Sequence, residues 1–145
     1  MNEPLYTIEI LRLAATIPHQ EPLQDPHGRA ELRSRTCGSK AFVSVRLDPE
    51  GRLAAMSQQV QACAFGQASA ALMGRSAIGR QPMEVQAGLG NFAAWLEGEE
   101  DQPGRWPGLH VLEPARSRRG RHAAMLLPFR ALLAAMENAL EHQRR

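Results

Sequence analysis

The chain has 145 residues, of which 43% are apolar and 22% charged. That is the size of one ordinary domain with enough apolar side chain for a core, which excludes global disorder. The net charge is only +2, which by itself points neither toward nor away from nucleic acid, and no stretch reaches the roughly 18 to 20 apolar residues of a membrane span. Glu3 stands where a signal peptide would carry basic residues, so the chain reads as cytoplasmic. Its two cysteines, Cys37 and Cys63, are then expected reduced and available for packing, metal or redox work rather than held in a structural disulfide.

In chain order, Asn2 can cap a first helix with Pro4 in its opening turn. Leu5, Ile8, Leu11 or Arg12, and Ala15 follow its helical spacing, and Ile17-Pro18 would end it. The stretch to Gly28, with Pro22 and Pro26, reads as loop. Three strands follow. Residues 30–36 set Ala30, Leu32 and Ser34 against the charged Glu31, Arg33 and Arg35. Residues 41–47 put Val43, Val45 and Leu47 on one face. Asp48-Pro49-Glu50-Gly51 has the composition of a tight turn, and residues 53–62 return as the third strand. Short connections and period-two patterning give an antiparallel meander.

Beyond Cys63 the period changes. Phe65, Ala68, Ala71 and Leu72 predict a helix ending near Gly74. After a break at residues 79–82, Val85, Leu89, Phe92, Ala93 and Leu96 predict another. Residues 97–114 are acidic, then rich in Pro and Gly, and read as an inserted loop. Trp95 and Trp106 read as core and loop packing. A last helix buries Leu132, Leu133, Met136 and Leu140. Pro128 fits only a first turn, so that helix is expected to begin near Leu126 or Leu127. Strands first and helices afterwards make one α+β domain over residues 1–145, a three-stranded antiparallel sheet packed on one face by helices.

The residues able to carry chemistry are few. Cys37 precedes Gly38 in a break between two strands, and Cys63 stands where the third strand hands over to a helix. A thiol at a helix N-terminus meets the positive end of the macrodipole, which favours the thiolate, the form that attacks and ligates. The alternative for both is a small buried hydrophobe. Arg116, Arg118, Arg119 and Arg121 form a dense basic run. It is either a solvated loop or a docking patch for an acidic partner, and no aromatic interleaving accompanies it, which argues against nucleic acid. His122 follows that run. His19, His27, His110 and His142 read as loop or tail residues, with His27-Gly28, in the segment before the first strand, an outside candidate for chemistry.

Cys37-Gly38-Ser39, a hairpin, and then Cys63-Ala64-Phe65-Gly66-Gln67-Ala68-Ser69-Ala70 resemble the first two ligand loops of the IscU/NifU N-terminal family of iron–sulfur cluster assembly scaffolds. The insertion at 98–114, the arginine-rich approach and Leu126-Leu127-Pro128-Phe129 resemble the SufU branch more closely. The resemblance runs from about Leu5 to Leu140. It implies a non-enzymatic scaffold or sulfur acceptor, with Cys37 and Cys63 binding iron or an iron–sulfur cluster, His122 as an auxiliary metal ligand, and the basic run docking a cysteine desulfurase or another assembly protein. The family's pattern is incomplete here. Ser39 replaces the aspartate after the first cysteine, and Ala124 stands where the third cysteine is expected, with Ala123 where the IscU branch has histidine.

A closed zinc site needs four donors, and clusters are normally held by thiolates, so two cysteines make half a site. The cargo is therefore a transient cluster, zinc, or none, and the chain a monomer or weak homodimer, two copies of which would supply four thiolates. The alternative is a degenerate family member that docks partners without stable metal. A thiol enzyme with Cys63 as nucleophile lacks a histidine partner at a readable spacing.

Overall fold

The structure, a computed structural model, describes residues 6–35 and 38–143. Helix α1 (Ile8–Ala14) precedes strands β1 (Gly28–Arg33), β2 (Lys40–Leu47) and β3 (Leu53–Gln61), then helices α2 (Ala64–Ala77) and α3 (Pro82–Leu96), a 3-10 helix at Leu109–Ala115, a short one at Arg119–Arg121, and α4 (His122–Gln143). The sheet is antiparallel throughout with order β1-β2-β3, so the expected α+β meander is what forms.

The strand pattern explains the layering. Ala41, Val43, Val45 and Leu47 of β2 and Leu53 and Met56 of β3 are buried beneath the helices, and α4 lies across β1 and β2. The opposite face carries Phe42, Ser44, Ser57 and Gln59, over which the Pro22–Leu23–Pro26 segment passes. That segment is tied down at both ends, where Gln58 N–H donates to the His19 carbonyl and His27 N–H to the Val45 carbonyl, each at 2.8 Å. Asp48 closes the β2–β3 turn, its Oδ1 accepting from the N–H groups of Glu50 and Arg52, both at 2.9 Å, while Gly51 takes the left-handed φ of 81° the turn requires.

Several expectations are corrected. The first helix starts at Ile8, where Thr7 Oγ1 accepts from Ile10 N–H at 3.1 Å, and Asn2, Pro4 and Leu5 lie outside the described residues. Its buried pair is Ile10 and Leu13, whereas Ile8 and Leu11 are 68% and 50% exposed. Residues two apart on a helix point about 200° apart, so once Ile10 enters the core Ile8 cannot. Strand β1 begins two residues earlier than its alternation suggests because Gly28 pairs with Val45, and it stops at Arg33. Helix α2 runs through Gly74 to Ala77. A Cβ at Gly74 would lie 2.7 Å from Gln58 Nε2 and 2.8 Å from Pro18, so this glycine serves a close approach rather than a stop.

Residues 97–114 are not a loose loop. Trp106, Leu109 and Leu112 are buried, and Trp106 Nε1–H donates to the Leu72 carbonyl at 3.1 Å. Helix α4 starts at His122, so Pro128 lies in its second turn. Pro128 offers no N–H to the Ala124 carbonyl. Gly66 has no Cβ to crowd that oxygen, and Ser69 supplies a donor to the next carbonyl, Met125, at 2.5 Å. With the turn before it, α4 is long and apolar enough by composition to cross a membrane, but most of that stretch is buried inside the fold.

Candidate functional site

The site assembles where β2 starts and β3 ends. Lys40 pairs with Gln61 and Ala41 with Val60, so the connections carrying Ser39 and Cys63 leave the sheet side by side. The first is closed by Ser34 N–H donating to the Ser39 carbonyl at 2.8 Å and Gly38 N–H to the Ser34 carbonyl at 3.1 Å. Gly38 takes φ 70° there, a conformation glycine adopts without strain, and Ser39 is buried. Cys37 lies outside the described residues. In the chain it immediately precedes Gly38.

Cys63 is the N-cap residue of α2, in extended conformation, and makes no side-chain cap hydrogen bond. Its thiol is free and half-buried. The helix it opens is built from small residues, with Gly66, Ala68, Ser69, Ala70 and Ala71 all buried, and this brings α4 close. A Cβ at Gly66 would lie 3.1 Å from the Ala124 carbonyl oxygen and 3.3 Å from Ala124 Cβ. Ala124, where the resemblance expects a third cysteine, is therefore packed on the first turn after Cys63 and is 1% exposed. The Tyr6 ring covers the same turn, with its centroid 5.0 Å from that of Phe65.

His122 opens α4 two residues before Ala124. It is 6% exposed. Its Nε2 is 2.8 Å from the Arg116 carbonyl, and Nδ1 is 3.7 Å from Glu97 Oε1. A carbonyl only accepts, so Nε2 carries the proton. Both ring nitrogens face protein groups, and a metal would have to displace one of them. Glu97 as a neighbour was not legible in the sequence, since the insertion folds back to place it there. Among the described residues, no group of three or more His, Cys, Asp or Glu side chains could hold a metal ion.

The basic run divides. Arg116 turns inward, its guanidinium 4.9 Å above the Trp95 ring. Its Nε–H donates to the Trp95 carbonyl at 2.9 Å, and a terminal nitrogen to the Glu100 carbonyl at 3.3 Å. It anchors the insertion and is not part of an open docking patch. Arg118 and Arg119 are exposed and Arg121 half-exposed, and none of the three makes an ion pair among the described residues. Elsewhere, His27 Nδ1 accepts from Leu47 N–H at 3.0 Å, His19 Nε2 lies 3.2 Å from the Gly74 carbonyl, and His110 stacks edge-on against Trp95, so these histidines take structural contacts.

No protein-family model matches the chain, and no curated protein matches it by sequence. Solved structures do. A crystal structure of a nitrogen-fixing NifU-like protein (N-terminal) from Brucella abortus is 30% identical over 94% of this chain and 95% of that one, with a TM-score of 0.87. An iron–sulfur cluster assembly scaffold described for the SUF system of the thermophile Fervidobacterium islandicum AW-1 is 19% identical, covering 91% of this chain and 96% of its own, with a TM-score of 0.82. A hypothetical protein is 21% identical over 89% of this chain and 94% of its own, with a TM-score of 0.77. The last two share the fold. At 30% identity across nearly the whole of both chains, the first shows more than fold, and the chain belongs to the NifU-like N-terminal family.

Proposed function

We propose that this protein works in iron–sulfur cluster assembly as a scaffold or sulfur acceptor, with the thiolates of Cys37 and Cys63 as its carriers. One observation carries the reading. The pairing of Lys40 with Gln61 sets the chain after Cys37 beside the chain before Cys63, and Cys63 stands at the N-terminus of α2 with a free, half-buried thiol. The named roles of the structural relatives support it further.

In this reading the cargo is held briefly. Ser39 and Ala124 contribute no thiolate or carboxylate, so a cluster or zinc ion has two cysteines and at most one imidazole from this chain. His122 would become that third donor only by releasing the Arg116 carbonyl or turning from Glu97. The protein is cytoplasmic and not an enzyme, its partners are a cysteine desulfurase and other assembly proteins, and its docking patch is Arg118, Arg119 and Arg121, with Arg116 fixing the loop behind them. Sulfur arrives by exchange. The Cys63 thiolate attacks the outer sulfur of a desulfurase persulfide, the new S–S bond forms on Cys63, and the desulfurase thiolate leaves, with no net oxidation. A second reading, a docking protein without stable metal, is favoured by the buried methyl of Ala124 at the third ligand position.

The test is intact-mass measurement after incubation with a cysteine desulfurase and cysteine. The expected result is a gain of one or more sulfur atoms, reversed by dithiothreitol and absent from Cys63→Ser. A mass unchanged in the wild type, with a stable complex formed with the desulfurase, would select the docking protein.

A further inference from the structure

A cleft of about 270 Å³ lies between α3 and the inserted segment, at the end of the sheet away from the cysteines. Leu53, the first residue of β3, donates its N–H to the Arg80 carbonyl at 2.8 Å. Cys63 lies beyond the other end of that nine-residue strand, roughly 25 to 30 Å away at about 3.3 Å per residue. Trp106 forms one wall, seated there because Gly88 has no side chain, since a Cβ on Gly88 would meet the ring at 2.8 Å. Gly104 takes φ 95° and packs on Asn91, which draws the insertion against α3 and brings Arg105 to the rim opposite Arg80.

The charges in and beside this cleft do not balance. Glu84 is the only carboxylate in its lining. That carboxylate accepts from Gln81 N–H at 3.1 Å and faces Arg80 at 3.5 Å and Arg52 at 3.7 Å. The Gln81 bond first, and then Arg80 and Arg52, hold its carboxyl below the usual carboxylate range, so it is ionised and committed at neutral pH. Two guanidiniums, Arg80 and Arg52, face this one carboxylate, and Arg105 stands in the lining beside them. Arg80 is fixed in place, with Nε–H donating to the Ser76 carbonyl at 2.9 Å and the guanidinium 4.8 Å above the Trp106 ring. Arg105 makes no ion pair among the described residues. The lining thus carries two guanidiniums against one carboxylate, an excess of about one positive charge on planar, fork-shaped donors with the Asn91 amide beside them, which suits a small oxyanion.

We propose that the cleft between Arg80, Arg105 and Asn91 binds a small oxyanion, as inorganic phosphate or as the phosphoryl group of a small phosphomonoester. This site is independent of the cysteine end and of the role proposed for it. The test is calorimetric titration of the full chain with inorganic phosphate and, separately, with glycerol 3-phosphate, at near-neutral pH and at ionic strength held constant with chloride. Saturable binding with a Kd of about 1 mM or tighter is expected, weakened about tenfold or more by Arg105→Gln. That side chain is exposed, and its loss leaves the fold intact. Arg33→Gln, an exposed residue at the far end of the sheet where Arg33 pairs with Lys40, should bind as the wild type does. Tighter binding of the ester identifies a phosphorylated metabolite, and tighter binding of phosphate identifies the free ion. No saturable heat with either probe, or equal affinity in Arg105→Gln, would overturn the assignment.

Discussion

The double variant Ser39→Asp, Ala124→Cys should hold zinc stoichiometrically through a chelator challenge that strips the wild-type protein. Ala124 packs against Gly66 on the turn that Cys63 opens, and Ser39 occupies the connection that leaves the sheet beside Cys63. The two substitutions would bring the donor set to three cysteines and one carboxylate, a closed tetrahedral zinc set. Loss of an outer-shell partner alone changes metal affinity about 10- to 100-fold, so two inner ligands should raise it by at least that much. Competition against a chromophoric chelator measures the change. Equal zinc affinity in wild type and double variant would mean that these positions do not converge on the cysteines, and the proposed site would fall.

The second large effect is on stability. Gly28→Ala should destabilise the fold by about 3 kcal/mol or more, the upper range for overpacked sites, out of a total of about 5 to 15 kcal/mol for a domain. The added Cβ would lie 2.4 Å from both the Ala135 carbonyl oxygen and the Ala139 nitrogen, and 2.7 Å from Ala139 Cα. These are backbone atoms of α4 and cannot rotate aside, so the helix must lift off β1, where Asn138 also accepts from Arg29 N–H at 3.1 Å. Gly90→Ala should act in the opposite sense. It lies within α3, a Cβ there meets nothing within 4 Å, and glycine in a helix interior costs about 1 kcal/mol relative to alanine. Urea denaturation of the two variants beside the wild type should show midpoints displaced in opposite directions.

The sheet was legible because its information is local. Val43, Val45 and Leu47 alternate, Asp48-Pro49-Glu50-Gly51 makes its own turn, and the two cysteines flank the hairpin that brings their loops together. What the sequence hid depends on contacts between distant segments. Pro128 argues for a late start to α4 until Ser69, on another helix, is known to donate to Met125. Ile8 and Leu11 share a helical spacing, yet the position of Ile10 against the core sets the phase of α1 and leaves both exposed. The insertion read as loop because Trp106 and Leu112 are spaced without period. Both are buried, and Trp106 packs against α2 and α4 rather than along one face of a helix. Arg116 looked like its arginine neighbours, and only the return of the chain past Trp95 separates it from them. The cleft of Arg80 and Arg105 has no sequence signature, because α3 separates the two residues in the chain.

The most direct measurement is iron and acid-labile sulfide content, with an ultraviolet–visible spectrum, on protein loaded anaerobically with ferrous iron and a desulfurase-generated sulfur source. Iron and sulfide in comparable amounts in the wild type, and neither in Cys37→Ala or Cys63→Ala, is the predicted result. Folded wild-type protein with free thiols that takes up neither, or the same uptake in both cysteine variants, would contradict a carrier role for these thiolates and leave a docking protein of the same fold.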